Sequence, residues 1–105
     1  MMDHSSKTVD VVLQGNQFVN STITIYEGDT VRWTHNDGMI GHNVASDNPA
    51  FNSHPNCALP VLPAPLCMAD GEVYTQHFGE VGDVAYVCEV HSGMTGTIRV
   101  LAHPE

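Results

Sequence analysis

Three side chains that can bind a soft metal ion recur at every third position near the end of the chain. Cys88, His91 and Met94 lie in the segment YVCEVHSGMTGTIRV, between two stretches that read as β-strands. Because the connection between the two strands is tight, one loop can present a thiolate, an imidazole and a thioether to a common point. The spacing therefore predicts a metal site in this loop.

The types of donor atom decide which metal such a site would bind. Sulfur ligands combined with imidazole favour copper over magnesium, calcium or manganese. Structural zinc usually takes four cysteine or histidine ligands, often from CxxC pairs, and the sequence contains no such pair. A third strong ligand is still needed, and His42 is the best candidate because it ends the loop that leaves the strand around Trp33. We therefore predict one mononuclear copper site.

The chain carries, in this order, the segments IYEGDTVRW, GHNV and YVCEVHSGMTGTIRV. Together they resemble the corresponding segments of the cupredoxins, the family of small blue-copper proteins such as plastocyanin and amicyanin. The likeness covers nearly the whole chain apart from an insertion at residues 46–70. It implies an all-β fold, a Greek-key sandwich, that holds a single type 1 copper ion.

The resemblance also implies a role for each residue of the predicted site. His42, Cys88 and His91 would form a trigonal plane around copper, and Met94 would supply the weak axial bond. Asn43 would join the two ligand loops by hydrogen bonds behind the ligands. Four other histidines lack such a pattern and are predicted to be ordinary surface or hydrogen-bonded residues: His35, His54, His77 and His103.

Three departures from the family pattern leave the axial position open between Met94, water and no ligand. Gly41 stands where a proline often precedes the histidine, so less bulk would shield the metal. Glu89 follows the cysteine where a small hydroxyl residue would help to lock the loops. The insertion at residues 46–70 would lie over the metal and change access to it.

The remaining sequence predicts the strands that must hold these ligands. Alternation of apolar and polar residues favours about seven to eight short strands, joined by turns rich in Gly, Asn and Asp. These strands predict an antiparallel Greek-key sandwich that forms one domain over residues 1–105. The stretch from 46 to 70 holds five of the six prolines and has neither strand nor helix period, so it is predicted to be an ordered loop.

The three cysteines form an odd set, so at least one thiol stays unpaired inside the chain. Cys57 and Cys67 bracket the segment CALPVLPAPLC, where a disulfide would stabilise the loop by about 2 to 3 kcal/mol. Such a bridge predicts an oxidising compartment, periplasmic or extracellular. The alternative is two unpaired, buried cysteines in a reducing cell.

Composition excludes several classes of function. The formal net charge of -9 would repel phosphate backbones and anionic lipid, so no nucleic-acid partner is predicted. No apolar run approaches the roughly 20 residues needed to cross a bilayer, and no signal-peptide pattern is present. We therefore expect no membrane insertion, and a monomer that attracts a basic partner protein.

Two functional hypotheses follow from the predicted site. In the first, the chain is an electron carrier rather than an enzyme, and its redox partner docks on a small apolar patch around His91 formed by Met39, Ile40, Gly41 and Gly93. In the second, copper with an open axial position acts on a small molecule such as nitric oxide, nitrite or superoxide. The end of the chain, SGMTGTIRVL, is also similar to the type 1 copper domain of copper nitrite reductases.

Overall fold

The computed structural model describes residues 6–57 and 67–103, which form β-strands and no helix. The central part of the predicted 46–70 loop, residues 58–66, lies outside the described residues. The strands are β1 (Thr8–Leu13), β2 (Phe18–Val19), β3 (Thr22–Tyr26), β4 (Thr30–His35), β5 (Ala45–Asp47), β6 (Ala50–Asn52), β7 (Val73–His77), β8 (Gly82–Val87) and β9 (Thr95–Leu101). Within these ranges, no helix is long and apolar enough to cross a membrane.

The strands form two sheets, which confirms the predicted all-β sandwich. One sheet has the order β2-β1-β4-β7 and the other the order β3-β9-β8-β5-β6. The sheets are mixed rather than purely antiparallel, since β1 pairs with β4 and β3 pairs with β9 in parallel. Each parallel pair joins strands that are distant along the chain, as a parallel pairing requires a long crossover connection.

The predicted loop at residues 46–70 contains a hairpin that the sequence did not reveal. Strands β5 and β6 pair in antiparallel fashion, and the turn between them contains a cis peptide bond at Asn48-Pro49. Each strand is only three residues long, which is too short to show a clear alternation of apolar and polar residues. The hairpin pairs with β8 through Ala45 and Val87, so it extends the second sheet beside the candidate ligand loop.

The core lies between the sheets and is centred on Trp33, which is fully buried. Its ring centroid lies 5.3 Å from that of Tyr86 and 5.7 Å from that of Tyr74. Such aromatic pairs contribute about 0.5 to 1.5 kcal/mol beyond the area that they bury. Cys88 and Met94 belong to the same buried cluster, so the candidate ligand loop is anchored in the core rather than attached to its surface.

Tyr86 in β8 packs directly over Gly96, its cross-strand neighbour in β9. A Cβ atom at residue 96 would lie 2.2 Å from the Cζ atom of Tyr86, whose ring is buried and has nowhere to move. We expect Gly96→Ala to lower the free energy of unfolding of the metal-free protein by about 1 to 3 kcal/mol or more, measured by urea denaturation. Gly79→Ala is the control, because a Cβ there makes only an ordinary contact at 3.6 Å. An equal effect of the two substitutions would contradict this description of the core.

Candidate metal centre

The structure brings His42, Cys88 and His91 together at one end of the sandwich. One ligand atom from each residue lies within 4.8 Å of the other two, and the Sγ atom of Cys88 is 3.7 Å from the Nδ1 atom of His42. His42 and Cys88 are buried, whereas His91 is half-buried. In the described part of the chain, Cys88 is the free cysteine. A buried thiol beside two imidazoles forms a soft set of donor atoms.

The backbone of the loop between β8 and β9 fixes the spacing of Cys88, His91 and Met94. The amide of Cys88 donates to the carbonyl of Met94 at 2.9 Å, and the amide of Met94 donates to the carbonyl of His91 at 3.2 Å. Gly93 has a φ of 81°, a conformation that glycine adopts without strain. These contacts close the loop tightly and keep the backbones of Cys88, His91 and Met94 close together.

A different segment of the chain positions His42. Its carbonyl accepts a hydrogen bond from the amide of Met68 at 2.8 Å, and the two residues form an isolated β-bridge. Cys67, next to this bridge, forms the predicted disulfide with Cys57, which is therefore confirmed. The disulfide thus links two positions of the inserted segment, and one of them lies next to the bridge partner of a candidate ligand.

The disulfide explains why Gly41 stands where a proline was expected. A Cβ atom at residue 41 would lie 3.0 Å from the Cβ atom of Cys67 and 3.3 Å from its Sγ atom. These distances are shorter than ordinary van der Waals contacts. The inserted segment consequently occupies the space next to His42 that a larger residue at position 41 would need.

Hydrogen bonds at the far side of each imidazole determine which nitrogen faces the cluster. The Nε2 atom of His42 lies 2.8 Å from the Oδ2 atom of Asp37, and the Nε2 atom of His91 lies 3.0 Å from the carbonyl oxygen of Gly41. Both partners are acceptors at neutral pH, so each Nε2 carries the proton. The Nδ1 atom of each ring is therefore the nitrogen available to bind a metal ion.

The pKa shifts of His42 and Asp37 agree with this arrangement. Burial lowers the pKa of His42, and the hydrogen bond to Asp37 only partly opposes that effect. The hydrogen bonds from His42 and from the amide of Asn16 lower the pKa of Asp37 to about 2. At neutral pH a neutral imidazole thus faces an ionised carboxylate.

Asn43 and Glu89 join the two ligand loops. The amide of Glu89 donates to the Oδ1 atom of Asn43 at 2.8 Å, and the Nδ2 atom of Asn43 donates to the Oε1 atom of Glu89 at 2.8 Å. The same Oε1 atom also accepts from the Nδ2 atom of Asn52 at 3.0 Å. Glu89 therefore ties the loops together, although the sequence suggested that a small hydroxyl residue was missing at its position.

Met94 is buried and packs in the hydrophobic cluster close to Cys88. Its axial role stays a prediction, because a thioether that packs in the core and one that binds weakly to a metal both require burial. Met39 is fully exposed, while Ile40 and Val90 are 40% and 38% exposed, so exposed apolar side chains stand in the sequence next to Gly41 and His91, which contact each other. Val90 was not part of the patch predicted from the sequence.

Sequence reasoning missed Asp37, which contacts His42 through its carboxylate. His35, predicted to be an ordinary hydrogen-bonded residue, is buried, and its Nε2 atom lies 2.5 Å from the carbonyl oxygen of Ile40. No periodic pattern marks either contact, because Asp37 and Ile40 both lie in the irregular loop after β4. The only sequence signal for the contact of Asp37 with His42 would have been an acidic residue a few positions before a predicted histidine ligand.

Comparison with known proteins agrees with the geometry. Residues 7–101 match the sequence profile of the family described as copper binding proteins, plastocyanin/azurin family. The chain is 38% identical over 85 residues to the chloroplastic plastocyanin of Tetradesmus obliquus, covering 79% of this chain and 57% of that protein. It is equally similar to the plastocyanin of Scenedesmus fuscus, of which it covers 85%. The match thus spans somewhat more than half of the first relative and most of the second.

Solved structures share the fold. Amicyanin from Paracoccus versutus superposes with a TM-score of 0.68 at 23% identity, covering 89% of this chain and 80% of that one. A copper-containing nitrite reductase from Thermus scotoductus gives a TM-score of 0.69 at 24% identity, covering 93% of this chain but 23% of the enzyme. At these identities the likeness establishes the fold alone.

The link between the ligand loops can be tested without metal. We expect Asn43→Ala to destabilise the metal-free protein by about 1 to 3 kcal/mol, because it removes both hydrogen bonds between the buried side chain of Asn43 and Glu89. Guanidinium denaturation measures the change. Gln14→Ala is the control, since it removes an exposed side-chain hydrogen bond to Asn36 and should change stability by less than about 0.5 kcal/mol. A loss no larger than that of the control would contradict the proposed link.

Proposed function

The chain belongs to the plastocyanin/azurin family of copper-binding proteins, and we propose that it carries single electrons by means of one type 1 copper ion. The observation that supports this function most directly is the group of His42, Cys88 and His91, with their ligand atoms within 4.8 Å of one another. A free, buried thiol beside two imidazoles whose Nε2 atoms contact hydrogen-bond acceptors fits a copper-thiolate site.

In this proposal the Nδ1 atoms of His42 and His91 and the Sγ atom of Cys88 hold the ion. Met94 would supply a further, weak thioether ligand. The bound ion would accept and release one electron by alternating between Cu(II) and Cu(I). The protein residues keep the ligands in place during this change, because the closed backbone loop and the Asn43–Glu89 pair resist movement.

The exposure of the cluster residues determines where electrons would enter and leave the site. Of the three clustered residues, only His91 is partly exposed, and the neighbouring segments carry the exposed side chains of Met39, Ile40 and Val90. We propose that a redox partner docks on this apolar patch. The formal net charge of -9 would speed the approach of a basic partner, an effect that weakens as the salt concentration rises.

Burial disfavours the alternative of a copper enzyme or sensor that acts on a small molecule. His42, Cys88 and Met94 are each at most 4% exposed, so little of the surface leads to an open axial position. The similarity to a nitrite reductase covers less than a quarter of that enzyme. We therefore propose a carrier that makes and breaks no substrate bonds.

The disulfide supports a location of the protein in an oxidising compartment. A bridge between Cys57 and Cys67 forms and persists in oxidising compartments and is rare in the cytosol of mesophiles. We propose a periplasmic or extracellular location. The free thiol of Cys88 is buried, and bound copper would protect it there from further oxidation.

The central test is the colour of the copper-loaded protein. We expect intense visible absorption from charge transfer between the Cys88 thiolate and Cu(II), together with one copper ion per chain. Cys88→Ser should abolish the band, because a hydroxyl is a far weaker ligand for copper than a thiolate. His77→Gln is the matched control: His77 is exposed in β7 and lies outside the cluster, so the band should remain. A colourless protein that binds copper would contradict the proposed function.

A second experiment separates an axial ligand from a core residue at position 94. Met94→Leu preserves the buried volume approximately, so the protein should still fold and still show the visible band. If the thioether donates weakly to copper, its removal should raise the reduction potential and change the electron paramagnetic resonance spectrum of the Cu(II) form. An unchanged potential and spectrum would show that Met94 only packs.

A further inference from the structure

Asp37 lies outside the predicted set, and its side chain forms a hydrogen bond with a candidate copper ligand. Its Oδ2 atom lies 2.8 Å from the Nε2 atom of His42, on the side of the ring opposite to the cluster. We propose that Asp37 is a positioning residue that lowers the reduction potential of the bound copper by placing a fixed negative charge behind His42. This inference rests on the proposed copper site.

Two backbone amides of the β1–β2 turn bind the carboxylate of Asp37. The amide of Gly15 donates to its Oδ1 atom at 3.0 Å, and the amide of Asn16 donates to its Oδ2 atom at 3.0 Å. Gly15 and Asn16 have φ values of 65° and 56°, so two successive amides of the β1–β2 turn point towards one anion. The carboxylate is therefore oriented by the backbone of one hairpin and aimed at a residue of another loop.

The turn that provides these amides is itself well defined. Gln14 and Gln17 exchange two backbone hydrogen bonds, of 3.0 and 3.2 Å, across Gly15 and Asn16. Asn16 is one of the described non-glycine residues with a positive φ, a conformation that asparagine tolerates better than most residues. The turn that binds the carboxylate of Asp37 is thus formed by the fold and does not depend on a metal ion.

The charge of Asp37 is poorly screened by solvent. Its side chain is 12% exposed, and the side chain of His42 is not exposed at all. In such surroundings the effective dielectric constant is far below that of water, and a charge acts more strongly on its neighbours. By contrast, Asp70, which lies 3.9 Å from the Nδ1 atom of His35, is 65% exposed.

The effect on copper follows from the difference between its two oxidation states. An imidazole that donates its Nε2 proton to a carboxylate becomes a more basic ligand at Nδ1. The doubly charged ion gains more from a basic ligand and a nearby negative charge than the singly charged ion does. Asp37 would therefore stabilise the oxidised form preferentially, and a neutral residue at position 37 would favour the reduced form.

The test compares the copper-loaded wild type with three variants by protein-film voltammetry. Asp37→Asn keeps an oxygen that can accept from His42 but removes the charge. We expect it to shift the equilibrium between the two oxidation states about tenfold towards Cu(I), which corresponds to a rise of about 59 mV for a one-electron couple. Asp37→Glu, which keeps the charge, should restore most of the wild-type potential.

Asp70→Asn controls for the general effect of removing one negative charge. Because Asp70 is exposed and contacts neither His42 nor Cys88, its substitution should move the potential far less than Asp37→Asn. Competition with chelators provides a second readout: Asp37→Asn should weaken the binding of Cu(II) more than that of Cu(I). A role limited to holding the loop would weaken both equally.

The outcomes separate this inference from the proposed function. If the wild type shows the visible band and a reversible potential, but Asp37→Asn leaves the potential unchanged or shifts it no more than Asp70→Asn, the role of Asp37 is wrong and the carrier function stands. If the wild type binds copper without the visible band, the carrier function itself fails. A rise in potential confined to Asp37→Asn and reversed in Asp37→Glu supports the inference.

Discussion

The candidate site depends on the hydrogen bonds between two loops that are far apart in the sequence. Asn43 follows the first histidine, Glu89 follows the cysteine, and each uses two polar groups to bind the other. Asn43 is completely buried, so these bonds exist in surroundings where an unpaired polar group is costly. The distance between His42 and Cys88 is therefore set by the polypeptide before any ion binds.

A second constraint acts from outside the cluster. Met68 binds the carbonyl of His42, and Asp37 binds its Nε2 atom. Cys67 packs closely against Gly41, the residue before His42. Within the described residues, the end of the inserted segment at Cys67 and Met68 is a lateral support for one ligand. Support of this kind suits electron transfer, because a ligand that moves little between oxidation states needs little reorganisation.

The sequence predicted the type of site better than its surroundings. Cys88, His91 and His42 could be found because donor type and spacing restrict the chemistry, and the buried strands could be found because β4 and β9 alternate clearly. Asp37 could not be found, since its partners Gly15 and Asn16 meet it only after β1 and β4 pair in parallel. The β5–β6 hairpin was missed because three-residue strands carry almost no pattern.

The position of β9 has a consequence for the order of folding. This strand lies between β3 and β8 in its sheet, and it pairs Ile23 near the beginning of the chain with Ile98 near the end. Contacts between residues so distant in sequence form slowly, because a large loop must close before they are gained. During synthesis the second sheet cannot be completed until β9 has left the ribosome. The loop that carries Cys88 and His91 would thus acquire its shape only after β9 has been synthesised, so metal uptake would follow that step.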